Sequence, residues 1–377
     1  MAATTTGSAD RVRIGIVGLG AVAQAVHLPL LSRRPDLFAL EAVVDLSPAT
    51  VRLVGARYGV ARRYGSLAAL LADGDVDAVA ILTSGSHGSA VADAVASGIP
   101  VFCEKPLAYT LAEADALVAV GGRVAVGYMK LYDPAVIHAR SLLVGRAPVR
   151  SVEVTVLHPS SPAQLAHANL AAPPGDVPDE ILAALASEAQ QLEERALGAA
   201  PLELRRLYVD VLLGSVVHEL AVVRALVDDP VSFEHIDVWP DGRFPPSVAI
   251  HGRLPDGARL AIRWHFLAEY PVYREEVRVH DERGTVSLTF PSPYLLHAPT
   301  KLTVVEGEAG GERTTVFRST AEAFEEELVA FHRFVTEGEH FAAGIAEGRT
   351  DIVTCQRIVR RLAEQRRLEL GGEAAAA

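Results

Sequence analysis

Short apolar runs alternate with amphipathic helical patterns from Arg11 onward. Five runs rich in β-branched or small apolar residues predict strands at Val12–Val17, Ala39–Val44, Ala78–Leu82, Val101–Cys103 and Val124–Gly127. Between or after them, helical periodicity covers Ala21–Ser32, Ala49–Gly59, Leu67–Ala72, Ser89–Ser97 and Leu111–Val118. This alternation is typical of βαβ units around a parallel sheet. The sequence therefore predicts a doubly wound α/β Rossmann domain over residues 11–128.

The rhythm changes after about Lys130, where hairpin-like strands with turn residues replace the βαβ pattern. The predicted strands are Arg150–Leu157, Ser232–Trp239, Ser247–Leu254, Arg259–Phe266, Glu275–Asp281 and Gly284–Phe290. Two helical patterns follow between Ser319 and about Leu368. We expect residues 129–370 to form a second α/β domain around a mostly antiparallel sheet.

Three segments lie outside this two-domain plan. Residues 1–10 and 371–377 are small, polar or of low complexity, which predicts disordered tails. A Pro- and Ala-rich insertion at about 159–206 carries the helical pattern Glu180–Leu197. A lid, an oligomer contact and a plain surface elaboration all remain open for this insertion.

Composition narrows the possible partners. Half of the 377 residues are hydrophobic and 22% are charged, which predicts a globular protein. The net charge of −12 disfavours nucleic acid or an anionic membrane surface as a partner, although ordinary solubility explains it equally well. Cys103 and Cys355 are far apart and lack metal-type spacing, so we expect neither a disulfide framework nor a metal site, and a cytoplasmic location.

A glycine-rich run lies between the first predicted strand and helix. Gly18-Leu19-Gly20-Ala21-Val22-Ala23 fits G-x-G-x-x-G/A. Gly18 permits the tight turn, Gly20 lets the backbone approach a pyrophosphate, and Ala23 allows close packing of helix on strand. The free N–H groups of the helix start suit phosphate oxygens. This run predicts a dinucleotide site.

Asp45 ends the second predicted strand, about 25 residues after Gly20, where an acid binds the ribose 2′-hydroxyl and repels a 2′-phosphate. Leu46 and Ser47 follow it in place of a basic residue. The pattern favours NAD over NADP. A helix cap before Ser47-Pro48 is the alternative role for Asp45.

Glu104-Lys105-Pro106 follows the strand at Val101–Cys103, at the sheet edge where open α/β folds bind ligands. Lys105, Lys130 and Lys301 are the only lysines of an Arg-rich chain. A partly desolvated lysine beside a nicotinamide has a lowered pKa and can shuttle a proton, which arginine cannot do. A lysine that reaches solvent from the strand end is the alternative.

Together these motifs resemble the Gfo/Idh/MocA oxidoreductases. The segments that carry the likeness are Gly18–Gln24 with His27-Leu28-Pro29, Ala80–Thr83 with His87, Cys103–Leu107, Gly127–Pro134 and Ala343–Gly348 with Asp351. The resemblance implies a Rossmann domain, then a domain with a large open sheet that often mediates oligomers. By position, the resemblance implies that Thr83 and His87 border the cofactor. We also expect cofactor contacts from Leu19, Ala21, Val22, Leu46, Ser84, Glu104 and Lys105. Lys105 corresponds to the catalytic lysine.

One position departs from that family. The family usually places an aspartate and a histidine one turn apart on a helix of the second domain; here His218 matches, but Gly214 holds the aspartate position. Glu219 adjoins His218 but points about 100° round an ideal helix, so we expect no replacement from it. A core histidine is the alternative for His218. Lys130 and Tyr132 either face the substrate or are solvated surface.

The expected protein is thus an NAD(H)-dependent homo-oligomer, a dimer or a tetramer. It transfers a hydride between nicotinamide and a hydroxyl or keto carbon of a sugar, polyol, aminosugar or nucleotide sugar, with Lys105 as proton shuttle and His218 as its helper. The competing hypothesis is a regulatory protein of the same fold that binds the dinucleotide without turnover, since Gly214 could mark lost catalysis.

Overall fold

The computed structural model describes residues 11–168, 170 and 173–377, so the predicted N-terminal tail lies outside the described residues. Six parallel strands form the first sheet in the order β3-β2-β1-β4-β5-β6. They are β1 Val12–Val17, β2 Phe38–Val44, β3 Arg62–Tyr64, β4 Ala78–Ile81, β5 Val101–Glu104 and β6 Val124–Gly127. Their helices are α1 Leu28–Arg33, α2 Pro48–Arg57, α3 Leu67–Asp73, α4 Gly88–Ala96 and α5 Leu111–Val120. The predicted Rossmann fold is confirmed.

Strand order determines where this domain can bind a ligand. Val17 at the end of β1 pairs with Val44 of β2 on one side and with Ile81 of β4 on the other. From β1 to β3 the chain adds strands on one side of β1, and from β4 to β6 it adds them on the other side. The strand order therefore reverses between β1 and β4. The loops that follow these strands lie at the topological switch point, where such folds bind dinucleotides.

Eight strands form the second sheet in the order β14-β13-β12-β11-β7-β10-β9-β8. They are β7 Ser151–His158, β8 Ser232–Trp239, β9 Ser247–Arg253, β10 Arg259–Phe266, β11 Arg274–Asp281, β12 Gly284–Phe290, β13 Lys301–Glu308 and β14 Gly311–Arg318. Only β7 and β10 pair in parallel. The predicted antiparallel character is confirmed. Strands β3, β13 and β14 were not predicted.

The remaining helices cover one face of this sheet and join it to the Rossmann domain. They are α6 Pro134–Leu143, α7 Ser161–Leu165, α8 Asp179–Leu197, α9 Leu202–Arg206, α10 Val217–Leu226, α11 Ala323–Thr336 and α12 Ile345–Arg366. A π-helix at Leu207–Val216 runs into α10, so the region expected to be one regular helix is wider-wound in its first half. Helix α11 packs against the first sheet, where Phe331 lies 5.6 Å from the Phe102 ring.

The C-terminal residues depart from the predicted disordered tail. Glu373–Ala375 form a short 3-10 helix, and Ala374 is fully buried. The Glu373 carboxylate accepts hydrogen bonds from the backbone N–H groups of Leu111 (2.6 Å) and Ala112 (3.0 Å). Free N–H groups at a helix start need such acceptors, and this need explains why a short polar tail is ordered. Among the described residues, no helix combines the length and apolarity needed to cross a membrane.

Candidate cofactor and catalytic site

The glycine turn after β1 is shaped by close backbone contact. Gly18 has φ of +90°, and a Cβ there would lie 2.7 Å from the backbone nitrogen of Thr83. Only glycine fits this turn. A Cβ on Gly20, by contrast, would meet no atom within 4 Å. Gly20 and Ala21 are exposed, so the backbone at the helix start is open to a ligand.

Asp45 stabilises this turn from the end of β2. Its carboxylate accepts hydrogen bonds from the backbone N–H of Leu19 (2.8 Å) and of Ser47 (2.9 Å). Ser47 is the residue that caps α2, since its hydroxyl accepts from the Thr50 N–H at 3.0 Å. The alternative role of Asp45 as the helix cap therefore does not apply. Leu46 beside it is 40% exposed.

A cleft of about 1140 Å³ runs past these residues, and the insertion forms its opposite wall. Leu19, Gly20, Ala21 and Asp45 line one side; Ser161, Leu165, Pro173 and Leu182 are among the residues of the other. Asp176 of the insertion contacts the Ser47 hydroxyl and accepts from the Ala49 N–H at 2.8 Å. The insertion therefore covers the predicted cofactor groove and is more than a surface elaboration.

A second cavity of about 240 Å³ lies between the two sheets. Its lining includes Val22, Thr83, Glu104, Lys105, Lys130, His158, Gly214, His218 and Tyr273. Val22 directly follows Ala21 of the cofactor groove in the sequence, so both spaces adjoin the glycine turn. The structure thus brings together most residues predicted from separate motifs.

His87 and Ser84 do not line either space. The ring of His87 is buried, with Nδ1 2.6 Å from the carbonyl oxygen of Pro106 and Nε2 2.7 Å from that of Thr83. It links the loop after β4 to the loop that carries Lys105, which makes it a positioning residue. Ser84 is exposed beside Thr83.

Lys105 follows a strand of the first sheet, and its side chain contacts the second half of the chain. Its Nζ donates a hydrogen bond to the carbonyl oxygen of Gly214 on the π-helix. Partial burial lowers the pKa of the Lys105 ammonium; Glu104 and Glu219 oppose that shift, and Lys130 adds to it. Glu104 lies 2.8 Å from Nε2 of His27. Burial raises the pKa of Glu104, but His27 and Lys105 outweigh it, so the net pKa is lowered.

His218 lines the cavity and has a partner-free ring nitrogen. Its Nδ1 is buried without a hydrogen-bond partner, and the ring meets Tyr128 edge-on at 6.1 Å. Burial lowers the pKa of His218 well below its usual value, and the positive charges of Lys105 and Lys130 lower it further. A neutral imidazole at a cavity wall can orient a hydroxyl group.

The structure separates Lys130 from Tyr132. Lys130 lines the cavity but is only 7% exposed, because it forms ion pairs with Glu275 and with Glu219 (3.4 Å). Tyr132 lies away from the cavity: its hydroxyl accepts from the Ala342 N–H at 2.9 Å. Tyr132 therefore does not line this cavity, and its side chain is half-buried.

Several lining or adjoining residues escaped the sequence analysis. Glu219, expected to point away from the His218 direction, lies 3.4 Å from Nζ of Lys130. Tyr273 donates to Glu275 at 2.6 Å, and the His158 ring lies 5.0 Å from Trp264. All of these belong to the second domain, where only long-range packing brings them together. The scarcity of lysine in the chain was the one sequence signal that pointed to Lys130 and the residues around it.

The fold and this pair of spaces define a class: a two-domain, dinucleotide-binding protein with a lysine-bearing cavity at the switch point. Residues 12–127 match the family described as an oxidoreductase family with an NAD-binding Rossmann fold. This match covers the Rossmann domain and agrees with the resemblance to the Gfo/Idh/MocA oxidoreductases.

Individual relatives support the assignment at different lengths. The chain is 40% identical over 129 residues to an inositol 2-dehydrogenase of Burkholderia ambifaria, a match that covers 32% of this chain and 38% of that protein. It is 28% identical over 346 residues to an inositol 2-dehydrogenase of Acidothermus cellulolyticus, covering 87% and 85%. The UDP-N-acetylglucosamine 3-dehydrogenase GnnA from Acidithiobacillus ferrooxidans shares the fold, with a TM-score of 0.69, 20% identity and coverage of 93% and 97%.

Proposed function

We propose that this protein is an NAD(H)-dependent dehydrogenase or reductase of a sugar, polyol, aminosugar or nucleotide-sugar hydroxyl group. The observation that carries the proposal is the position of Lys105, which lines a cavity that adjoins the same glycine turn as the predicted cofactor groove. The names of the relatives, inositol 2-dehydrogenase and D-apiose dehydrogenase, support a polyhydroxylated substrate.

The groove fits a dinucleotide. A Cβ at Gly18 would fill the turn, while the space above Gly20 is empty and the Asp45 carboxylate faces the groove. When bound, a nicotinamide cofactor supplies the hydride acceptor or donor. We assign the diphosphate to the Gly18–Val22 backbone and the ribose hydroxyls to Asp45. Asp45 and Asp176 both place negative charge at the start of α2, which supports NAD over NADP.

Lys105 then moves the proton at the substrate hydroxyl. In the oxidative direction the neutral amine takes the hydroxyl proton and becomes an ammonium; in the reductive direction it returns that proton to the forming alkoxide. The lowered pKa of Lys105 makes the neutral amine that this exchange requires more accessible. His218, held neutral, accepts or donates one hydrogen bond that orients the same hydroxyl.

A thermal-shift screen against sugars, inositols, aminosugars and nucleotide sugars, each with NAD present, identifies the substrate class. Compounds that stabilise the protein are then assayed by NADH absorbance. Stabilisation by NAD without turnover of any binding compound would instead support the regulatory alternative.

A further inference from the structure

A buried charge cluster lies behind the wall of the catalytic cavity. It consists of Lys130, which follows β6, Glu219 in the first turn of α10, and Glu275 on β11. Nζ of Lys130 lies 3.4 Å from Oε1 of Glu219 and also contacts Oε2 of Glu275. Two carboxylates thus share one ammonium, and full ionisation leaves an excess negative charge in a nearly water-free space.

The cluster has unused acceptor capacity. Oε2 of Glu219 and Oε1 of Glu275 are buried without a hydrogen-bond partner. A buried carboxylate with an unpaired oxygen is costly, and protonation of one carboxyl group relieves that cost. Burial raises the pKa of Glu219 to about 8, with Lys130 opposing and Glu275 reinforcing the shift. Glu219 therefore changes charge in the range where dehydrogenases commonly exchange substrate protons.

This charge lies near Lys105, because Lys130, the ion-pair partner of Glu219, lines the same cavity as Lys105. Glu219 directly follows His218, and Gly214, whose carbonyl oxygen holds the Lys105 ammonium, lies five residues before Glu219 in the sequence. The negative charge of Glu219 raises the pKa of Lys105, and the positive charge of Lys130 lowers it. Gly214 itself offers no side chain, so no carboxylate stands at the lysine from that position.

We infer that Glu219 is a positioning residue that supplies, from behind the cavity wall, the negative charge that Gly214 lacks, and so sets the charge state of Lys105. The inference rests on the proposed proton transfer by Lys105. When Lys105 takes a hydroxyl proton, ionised Glu219 stabilises the resulting ammonium group, and protonated Glu219 does not. The charged or titratable groups that face Glu219 are Lys130, Glu275, Tyr273, Lys105 and the adjacent His218.

The test follows the Lys105 amine directly and needs no substrate. Trace acetylation with acetic anhydride modifies only neutral amines, and mass spectrometry of the digest separates Lys105 from Lys130 and Lys301, the other lysines. Labelling is measured from pH 6 to 11 in wild type, Glu219→Gln and Glu219→Asp. Glu327→Gln is the matched control, because Glu327 is also a fully buried glutamate but is not among the charged groups that shift the pKa of Lys105.

We expect Glu219→Gln to move the Lys105 labelling midpoint to lower pH, since the stabilising charge is gone. Glu219→Asp keeps the charge, so its labelling midpoint should stay nearer the wild-type value. If the midpoint shift came from a packing defect instead, the shorter aspartate would shift it at least as much as glutamine does. The wild-type curve should be broader than a single titration, because two coupled groups share it. An unshifted Glu219→Gln midpoint, or an equal shift in Glu327→Gln, overturns the inference. Absence of turnover with every tested sugar would count against the proposed function alone, since the labelling uses no substrate.

Discussion

Replacing Asp45 with asparagine is the sharpest test of the cofactor assignment. The substitution removes the charge but keeps one acceptor oxygen for the buried Leu19 N–H, to which the carboxylate binds at 2.8 Å. Alanine would leave that N–H without a partner, at a cost of about 1–3 kcal/mol, and would confuse folding with binding. Asparagine thus removes the charge at a smaller structural cost, since only the Ser47 N–H, which the other carboxylate oxygen accepts at 2.9 Å, loses its acceptor.

The size of the repulsion between the Asp45 carboxylate and the 2′-phosphate of NADP follows from Coulomb's law. At about 5 Å, a carboxylate and one phosphate charge repel by about 0.8 kcal/mol in water-like surroundings and about 3 kcal/mol at an effective dielectric constant of 20. Asp45 is half-exposed, and a 2′-phosphate carries between one and two charges, so about 1.5–3 kcal/mol is reasonable. Asp45→Asn should therefore raise NADP affinity about 10–100-fold. NAD affinity should fall by less than about tenfold as a charge-assisted hydrogen bond becomes neutral.

Calorimetric titration of NAD and NADP at fixed ionic strength measures both constants. Asp77→Asn is the matched control: its carboxylate also accepts a backbone N–H, from Arg13 at 2.8 Å, but at the opposite edge of the sheet. The wild-type preference for NAD should also weaken with added salt. An unchanged NADP-to-NAD ratio in Asp45→Asn, or wild-type protein that binds NADP as tightly as NAD, would refute the assignment.

Three further predictions concern catalysis, stability and assembly. Lys105→Ala should bind NAD normally yet lose about 10²–10⁴-fold in turnover, and Lys105→Arg should lose nearly as much. His218→Ala should lose less turnover than either lysine variant. Steady-state kinetics measure all three, and near-normal turnover of Lys105→Ala would refute the proposed mechanism. Deleting residues 371–377 removes the Glu373 cap of α5, so thermal unfolding should show a loss of about 0.5–2 kcal/mol, and an unchanged melting temperature would contradict this. Light scattering should return a homo-oligomer at micromolar concentration, because one face of the second sheet lacks helices; a monomer would refute this.

The parts of the fold that could be predicted are those with local signals. Val12–Val17 and Arg259–Phe266 have the predicted bounds, because buried runs and in-out alternation are written into their sequences. By contrast, Gly311–Arg318 is an almost wholly exposed edge strand, and Arg62–Tyr64 has only three residues. Neither has an apolar face for periodicity to reveal.

The residues of the candidate site likewise divide into those with a local sequence signal and those without one. The glycine turn, Asp45 and Lys105 follow strands whose ends meet at one sheet edge, so topology alone brings them together. Glu219 and Glu275 come from different elements of the second half, and each carries an ordinary polar signal. The π-helix at Leu207–Val216 has the same apolar pattern as an α-helix, so its winding could not be predicted. His218 and Glu219 both lie in the regular helix that follows it, and only long-range packing brings Glu219 to Lys130.

The contacts around Lys105 also bear on whether it is a functional group or a lysine that merely reaches solvent. The strand that carries it is fixed from behind by the edge-on packing of Phe102 against Phe331, and beside it Glu104 pairs with His27. On the opposite side, the Gly214 carbonyl oxygen receives the ammonium. Close-packed cores deform only at a cost, so the lysine is held in place by both halves of the chain. A lysine reaching for water needs none of these contacts and would gain more from hydration, so the arrangement favours a role at the cavity.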